Sequence, residues 1–444
     1  MNSEKQYIEL YSQCHELIKQ GSHAALNSHR AKALTTLQTQ GLPTLRNERY
    51  KYTNIQAAFE PDYGLNLSRL QLQADPYAAY KCSVPNMSSH LFYVVNDRIE
   101  AKDKLIDSAE LFVGSITDFA EKHPDIFAAY YNKVEADGLT ALNTLLSQEG
   151  AVIYVADNCK LDKAIQIVNL TTGNVPMMTN RRMLIFMGKN AEATLLVCHH
   201  SVSSQPHLTT EVAEVYLNEG SNLRYYNIEE TADTNRLFDT TNIVQQAASS
   251  LTYATITLHN GLSRHTLDVH LRGTKAVANV SGLVIGGGEQ HVDNNLVIAH
   301  EAELCSSDVL YKYVLDDKSR GAFAGKVYVA EGAQKTESQE TNANLCVSPQ
   351  AHMYTQPMLE IYADDVKCNH GSTVGQLNET ALFYMAQRGI DPAEGRRLLQ
   401  QAFAFEVIDR IDIPALQQRL YQMVEERFRR GTNACGDCTL CSSR

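Results

Sequence analysis

Hydrophobic and polar positions change rhythm twice along this chain. Up to about residue 148 the dominant spacing is helical. Over 4–20, Tyr7, Leu10, Tyr11, Cys14, Leu17 and Ile18 recur three and four apart, the stripe of an amphipathic helix. Gly41-Leu42-Pro43-Thr44 marks a turn. Residues 91–97 read as a strand ending in a turn, and 138–147 as a helix with Leu139, Leu142, Leu145 and Leu146 on one side.

From Ala151 short β-rich runs take over, at 151–155, 164–169, 182–187, 193–198, 214–217, 223–228, 251–258 and 266–271. They continue at 280–285, 295–299, 309–315, 325–329, 344–347 and 358–362. Compact turns such as Gly188-Lys189-Asn190 and Asn218-Glu219-Gly220 separate them. No amphipathic helices alternate with these strands, which disfavours a doubly wound α/β sheet and leaves a barrel, a sandwich or a stacked β-solenoid. The turns recur at irregular intervals of roughly 15 to 30 residues, which fits the rungs of a degenerate solenoid better than a strict repeat array.

After Gly371 the rhythm is helical again. Asn378 is placed to cap a helix running to Arg388, with Gly389 at its C′ position. Asp391-Pro392-Ala393-Glu394 combines a cap, a proline at N1 and a capping-box glutamate. The helix behind it presents Leu398, Leu399, Ala402, Phe405 and Ile408, and a further helix starts at Pro414 and stops at Gly431. The pattern predicts a mainly helical part over 1–150, a β core over 151–371, a small helical domain over 372–431 and a Cys-rich tail over 432–444.

Composition narrows the functions. A net charge of -12 argues against a general nucleic-acid binder, and Arg427, Arg429 and Arg430 read as a solvated helix end. The charged first twenty residues lack the apolar segment of a signal peptide, and no run approaches a membrane span, so the expected location is the cytoplasm. In such a reducing compartment the ten cysteines are buried hydrophobes, metal ligands or sulfur chemistry rather than disulfides.

Familiar catalytic motifs are missing. Gly321-Ala322-Phe323-Ala324-Gly325-Lys326-Val327 has the wrong spacing for a phosphate-binding Walker loop and lacks its hydroxyl. There is no His-Glu-x-x-His and no Gly-x-Ser-x-Gly. A carbohydrate-active β-solenoid enzyme would need acids lining a cleft; Asp316, Asp317, Lys318 and Arg320 imitate one, but also suit a charged turn. Two cysteine groups remain. Cys368 and His370 are two apart, so on a strand they share a face and offer a thiolate and an imidazole to a metal; such a pair is also commonly structural. Cys435, Cys438 and Cys441 resemble part of an iron–sulfur ligand run in what is otherwise an exposed tail.

The segment 359–377, Leu-Glu-Ile-Tyr-Ala-Asp-Asp-Val-Lys-Cys-Asn-His-Gly-Ser-Thr-Val-Gly-Gln-Leu, closely resembles the signature of the SufB/SufD family. Tyr313 to Gly321, Gly332 to Thr336, Gln339 to Leu345 and Ala381 to Ile390 are also similar to that family. Gly41-Leu42-Pro43-Thr44-Leu45-Arg46-Asn47-Glu48-Arg49-Tyr50-Lys51-Tyr52-Thr53 is similar to the N-terminal motif of its SufD branch; SufB chains are usually longer and lack it. These matches span most of the chain.

The resemblance implies a right-handed parallel β-helix flanked by α-helical N- and C-terminal domains. It implies a scaffold subunit in iron–sulfur cluster assembly or iron acquisition, without catalysis of its own. SufB would pair with it through the β-helix edges, and the ATPase SufC would dock on the C-terminal helices, where Leu398, Leu399, Ala402, Phe405 and Ile408 are the candidate contacts. His370, with Cys368, becomes a candidate cluster-site ligand at the SufB interface. No cofactor would be permanently bound; iron or a cluster would be held transiently with SufB. Cys435, Cys438 and Cys441 depart from the family pattern. A metal-binding homodimer, using the same edge, stays open as an alternative.

Overall fold

The computed structural model describes residues 3–68, 84–101, 104–134 and 137–430. From Ala151 onward successive strands alternate between two parallel sheets. The first takes Ala151–Val155, Met177–Met187, His207–Leu217, Asn235–Gln245, Leu262–Leu271, His291–His300, Arg320–Val329 and His352–Ile361. The second takes Ala164–Thr171, Glu192–Ser201, Asn222–Glu230, Ser250–His259, Val277–Gly286, Ser306–Leu315, Glu337–Cys346 and Lys367–Gly375. One strand of each makes a rung, and the stacked rungs form the parallel β-solenoid expected from the sequence.

Alternation within each strand explains the core. Ile185, Val215, Ile243, Val269, Ile298 and Val327 pair in one register column and are all buried in the lumen. Each such aliphatic side chain stabilises the fold by about 1.5–3 kcal/mol relative to exposure. Where one rung's bulk would collide with the next, glycine makes room. A side-chain carbon at Gly282 would lie 2.1 Å from the ring of its register partner Tyr311.

The corners stack as well. Asn158, Asn190, Gly220, Ala248, Lys275, Leu304 and Lys335 occupy successive turns, all with positive φ between 54° and 68°. Their amides donate to the rung that follows, Asn190 to Glu219, Gly220 to Ala247, Ala248 to Thr274 and Lys275 to Glu303, at 2.9–3.1 Å. That bond offsets the cost of a left-handed conformation in residues that have a Cβ.

The helical segments cover the sheets from outside. Glu4–Gln20, Arg30–Gln40 and Gly138–Leu146 pack with Met178, Leu208 and Phe238 on the first sheet. Arg30, almost fully buried, donates 2.6 Å to the Ser147 carbonyl and so satisfies the end of Gly138–Leu146. The N-terminal region also supplies strands: Ser89–Val95 continues the second sheet in parallel, followed by antiparallel Arg98–Ala101, while Leu111–Ser115 adds antiparallel to the first. The two C-terminal helices Pro392–Ile408 and Pro414–Arg430 do not stand apart. They bury Ala404, Val407, Ile408, Leu416, Leu420 and Val424 against Ile228, Ile256, Leu258 and Leu283 of the second sheet. Arg427 belongs to this seam and is not solvated: buried, it donates 2.8 Å to the Leu258 carbonyl. Asp391 caps its helix, its Oδ1 accepting from Ala393 N at 2.9 Å, but Glu394 pairs with Arg397 instead of closing a capping box.

Candidate functional site

The two ends of the solenoid differ. The antiparallel strands cover its beginning, whereas among the described residues His352–Ile361 and Lys367–Gly375 are each the last strand of their sheet, hydrogen-bonded on one side only. Their neighbourhood exposes Tyr354, Ile361, Tyr362 and Val374, with Tyr362 at 61%. A free edge that carries apolar side chains is a template for another strand.

Cys368 and His370 lie on this last strand, opposite Ser338 and Glu340 of the preceding rung. In-register residues of parallel strands point the same way, and both partners are buried in the lumen. Cys368 and His370 therefore sit at its mouth. Cys368 is half-buried against Val327, Val329, Ala333 and Ala363, and that burial pushes its thiol pKa up. His370 is exposed. The mouth is braced by hydroxyls: Thr355 Oγ1 lies 2.7 Å from Ser372 Oγ and donates 2.8 Å to Asn342 Oδ1, tying the two last strands together.

Sequence reasoning missed Glu340. It has no exposed surface, and neither carboxylate oxygen has a hydrogen-bond partner. Its carboxyl occupies the space left by Gly325, where a side-chain carbon would sit 2.6 Å from both oxygens. Desolvation pushes its pKa up to about 7. The only signal along the chain was a glutamate at a lumen-facing position of a strand, visible once the register is known.

The candidate SufC contacts separate. Leu398 and Ala402 are exposed and Leu399 is half-buried, but Ile408 is fully buried against the solenoid, and Phe405 leans on Tyr421 with ring centroids 4.6 Å apart. Phe383 at 66% and Tyr384 at 59% exposure, on the helix Glu379–Gln387, extend the exposed apolar surface; they belong to the family-like stretch 381–390 but were not singled out as contacts in the sequence. Cys435, Cys438 and Cys441 lie outside the described residues. Among the described residues no three His, Cys, Asp or Glu side chains are gathered to hold a metal ion, and no helix is long and apolar enough to cross a membrane. The acids of the enzyme alternative serve a corner: Asp317 Oδ2 accepts from Gly288 N at 2.8 Å and Asp316 Oδ1 from Asp317 N at 2.8 Å.

Fold and mouth together define a β-solenoid protein whose chemistry-bearing side chains stand at an unpaired sheet edge. Residues 169–403 match the model of the SUF system FeS cluster assembly SufBD core domain, and residues 1–167 match the SufBD protein N-terminal region. The chain belongs to the SufBD family of iron–sulfur cluster assembly proteins. An iron–sulfur cluster assembly SufBD family protein of Synechocystis is 28% identical, with 90% of this chain and 91% of the relative covered. The iron–sulfur cluster assembly protein SufD of Escherichia coli is 26% identical over 89% of this chain and 91% of its own length. SufD of Bacillus subtilis is 23% identical over 97% and 99%.

Proposed function

We propose that this chain is the SufD-type subunit of a cytoplasmic SUF complex, a scaffold that shapes a cluster site and carries out no turnover itself. The observation that supports this best is the placement of Cys368 and His370 on a free edge strand at the open end of the solenoid. Two donors are an incomplete ligand set, so the rest would come from the surface that docks on the edge. SufB is the expected occupant, extending both sheets and bringing its own donors to the mouth. An imidazole nitrogen suits iron, and Cys368 would ligate as thiolate or pack as it does now. SufC would bind the exposed apolar surface of Phe383, Tyr384, Leu398 and Ala402, with half-buried Leu399 and Phe405 behind it. ATP-driven movement of the two scaffolds would then open and close the shared site.

Co-expression with SufB and SufC tests this reading. The expected result is one complex, by native mass, containing all three chains. Tyr362→Lys together with Val374→Lys on the free edge should release SufB while SufC stays bound. A chain that never recruits SufB, and instead forms only a metal-loaded homodimer, would replace this reading with the homodimer alternative.

A further inference from the structure

The N-terminal motif has no part in the mouth chemistry, and its structural role leaves a cleft. Residues 49–53 are fastened to the outer face of the first sheet. Arg49 bridges to Asp268 at 2.6 Å and to Asn295 at 2.8 Å, and its carbonyl accepts from Arg264 at 2.6 Å. Thr53 Oγ1 donates 2.6 Å to Asp293 and lies 2.9 Å from His291 Nε2. Lys51 makes no such bond; its ammonium sits 5.0 Å over the Tyr52 ring. Between this segment and the sheet is a cleft of about 620 Å³.

The solenoid's register makes the floor of that cleft cationic. Arg236, Leu262, His291 and Arg320 are partners in one column, at the starts of four successive strands of the first sheet. Parallel pairing sets their side chains on one face, about 4.8 Å apart per rung. Beside Arg236 and Arg320, Lys318 adds a third cation from the corner before Arg320, and Lys51 a fourth from the facing wall. Glu289 is the one carboxylate of the lining, and it lies 3.5 Å from Lys318. Among the described residues, no ion pair engages Lys51, Arg236 or Arg320; Arg236 donates instead to the Ala58 carbonyl at 2.8 Å. On a chain of net charge -12, three unneutralised cations in one cleft are not a by-product of general basicity.

We propose that this cleft binds a small molecule carrying a diphosphate group. Arg320 offers a planar fork for phosphoryl oxygens, Lys318 and Lys51 supply point charges, and Arg236 adds a further guanidinium on the same face. Three uncompensated cations balance a diphosphate of about three negative charges, and the volume is within the range of sites for nucleotide-sized ligands. Tyr52 and Leu262 leave an apolar wall for whatever the diphosphate carries.

The test is calorimetric titration of the full chain with inorganic pyrophosphate and, separately, with ADP. Each should show one saturable site, and each should compete with the other. Lys51→Glu combined with Arg320→Glu should weaken binding at least about tenfold. Lys160→Glu combined with Lys189→Glu, the same charge change at another corner, should leave it within about threefold. Circular dichroism melting of both variants confirms that they fold. Tighter binding of ADP than of pyrophosphate supports the site with a nucleotide as its source, and equal binding supports it with the bare diphosphate. Absence of saturable binding at millimolar ligand, or equal loss in the two variants, overturns the proposal.

Discussion

Glu340 should make the stability of this protein fall as pH rises, and Glu340→Gln should remove that dependence. The folded chain holds the carboxyl in the lumen with no exposed surface, no donor to either oxygen and a pKa of about 7 against an ordinary 4.5. A group whose folded pKa is raised binds its proton more tightly in the native state. Its contribution is therefore complete below about pH 4.5 and is lost as pH climbs through 7. At 1.36 kcal/mol per pH unit, the span between those values corresponds to about 3 kcal/mol. Glutamine has nearly the same shape and cannot ionise. Its amide adds a cost that does not depend on pH, so the informative quantity is the change in the difference between the two proteins. Glu211 is also raised to about 7 but is present in both and cancels. Urea unfolding followed by circular dichroism at pH 5 and pH 8 should show the variant gaining about 2.5 kcal/mol on the native chain over that interval, because part of the loss already lies below pH 5. Two curves that stay parallel from pH 5 to pH 8 would refute the assignment of Glu340 as a buried acid.

Other residues give sharper contrasts. Ile408→Asp places a charge where the side chain is fully buried against the second sheet, and should cost at least about 3 kcal/mol in a denaturation series. Leu398→Asp, on the same helix but exposed, should leave stability unchanged within about 0.5 kcal/mol and weaken SufC binding about tenfold by calorimetry. Gly282→Val should destabilise by about 1–3 kcal/mol or more, because the Tyr311 ring it would strike is already held against Phe323 at 4.9 Å between centroids. An unchanged unfolding midpoint for Gly282→Val would show that the rungs have slack at that point.

Most strands were legible as short β-rich runs between compact turns, as in Leu-Thr-Tyr-Ala-Thr-Ile-Thr-Leu at 251–258, whereas Asn235–Gln245, whose middle is the polar run Asp239-Thr240-Thr241-Asn242, was not read as one. Their assembly into rungs was harder to read, since the corner position that repeats is a backbone conformation and not a residue type. Asn, Gly, Ala, Lys and Leu all fill it, and a stacked amide bond compensates each. The caps of the C-terminal helices were local signals and could be read directly. The packing of those helices was not local. The stripe from Leu398 to Ile408 spans both the face buried on the second sheet and the face left open, and periodicity does not say which neighbour a face meets. Cys368 and His370 stood out by spacing and resemblance. Glu340 could not, because its isolation follows from its place beside Gly325 and from the lack of a hydrogen-bond partner for either oxygen.

The central claim is that the mouth of the solenoid is half of a cluster site, and His370→Ala in the complex with SufB and SufC tests it most directly. Iron and acid-labile sulfide are measured on complexes purified under exclusion of oxygen, alongside their native mass. His370 is exposed and one side chain of a large edge, so the complex should assemble at normal mass. Its iron and sulfide should fall to background, with a smaller loss for Cys368→Ser. A His370→Ala complex of normal mass that still carries its full iron and sulfide would contradict the account.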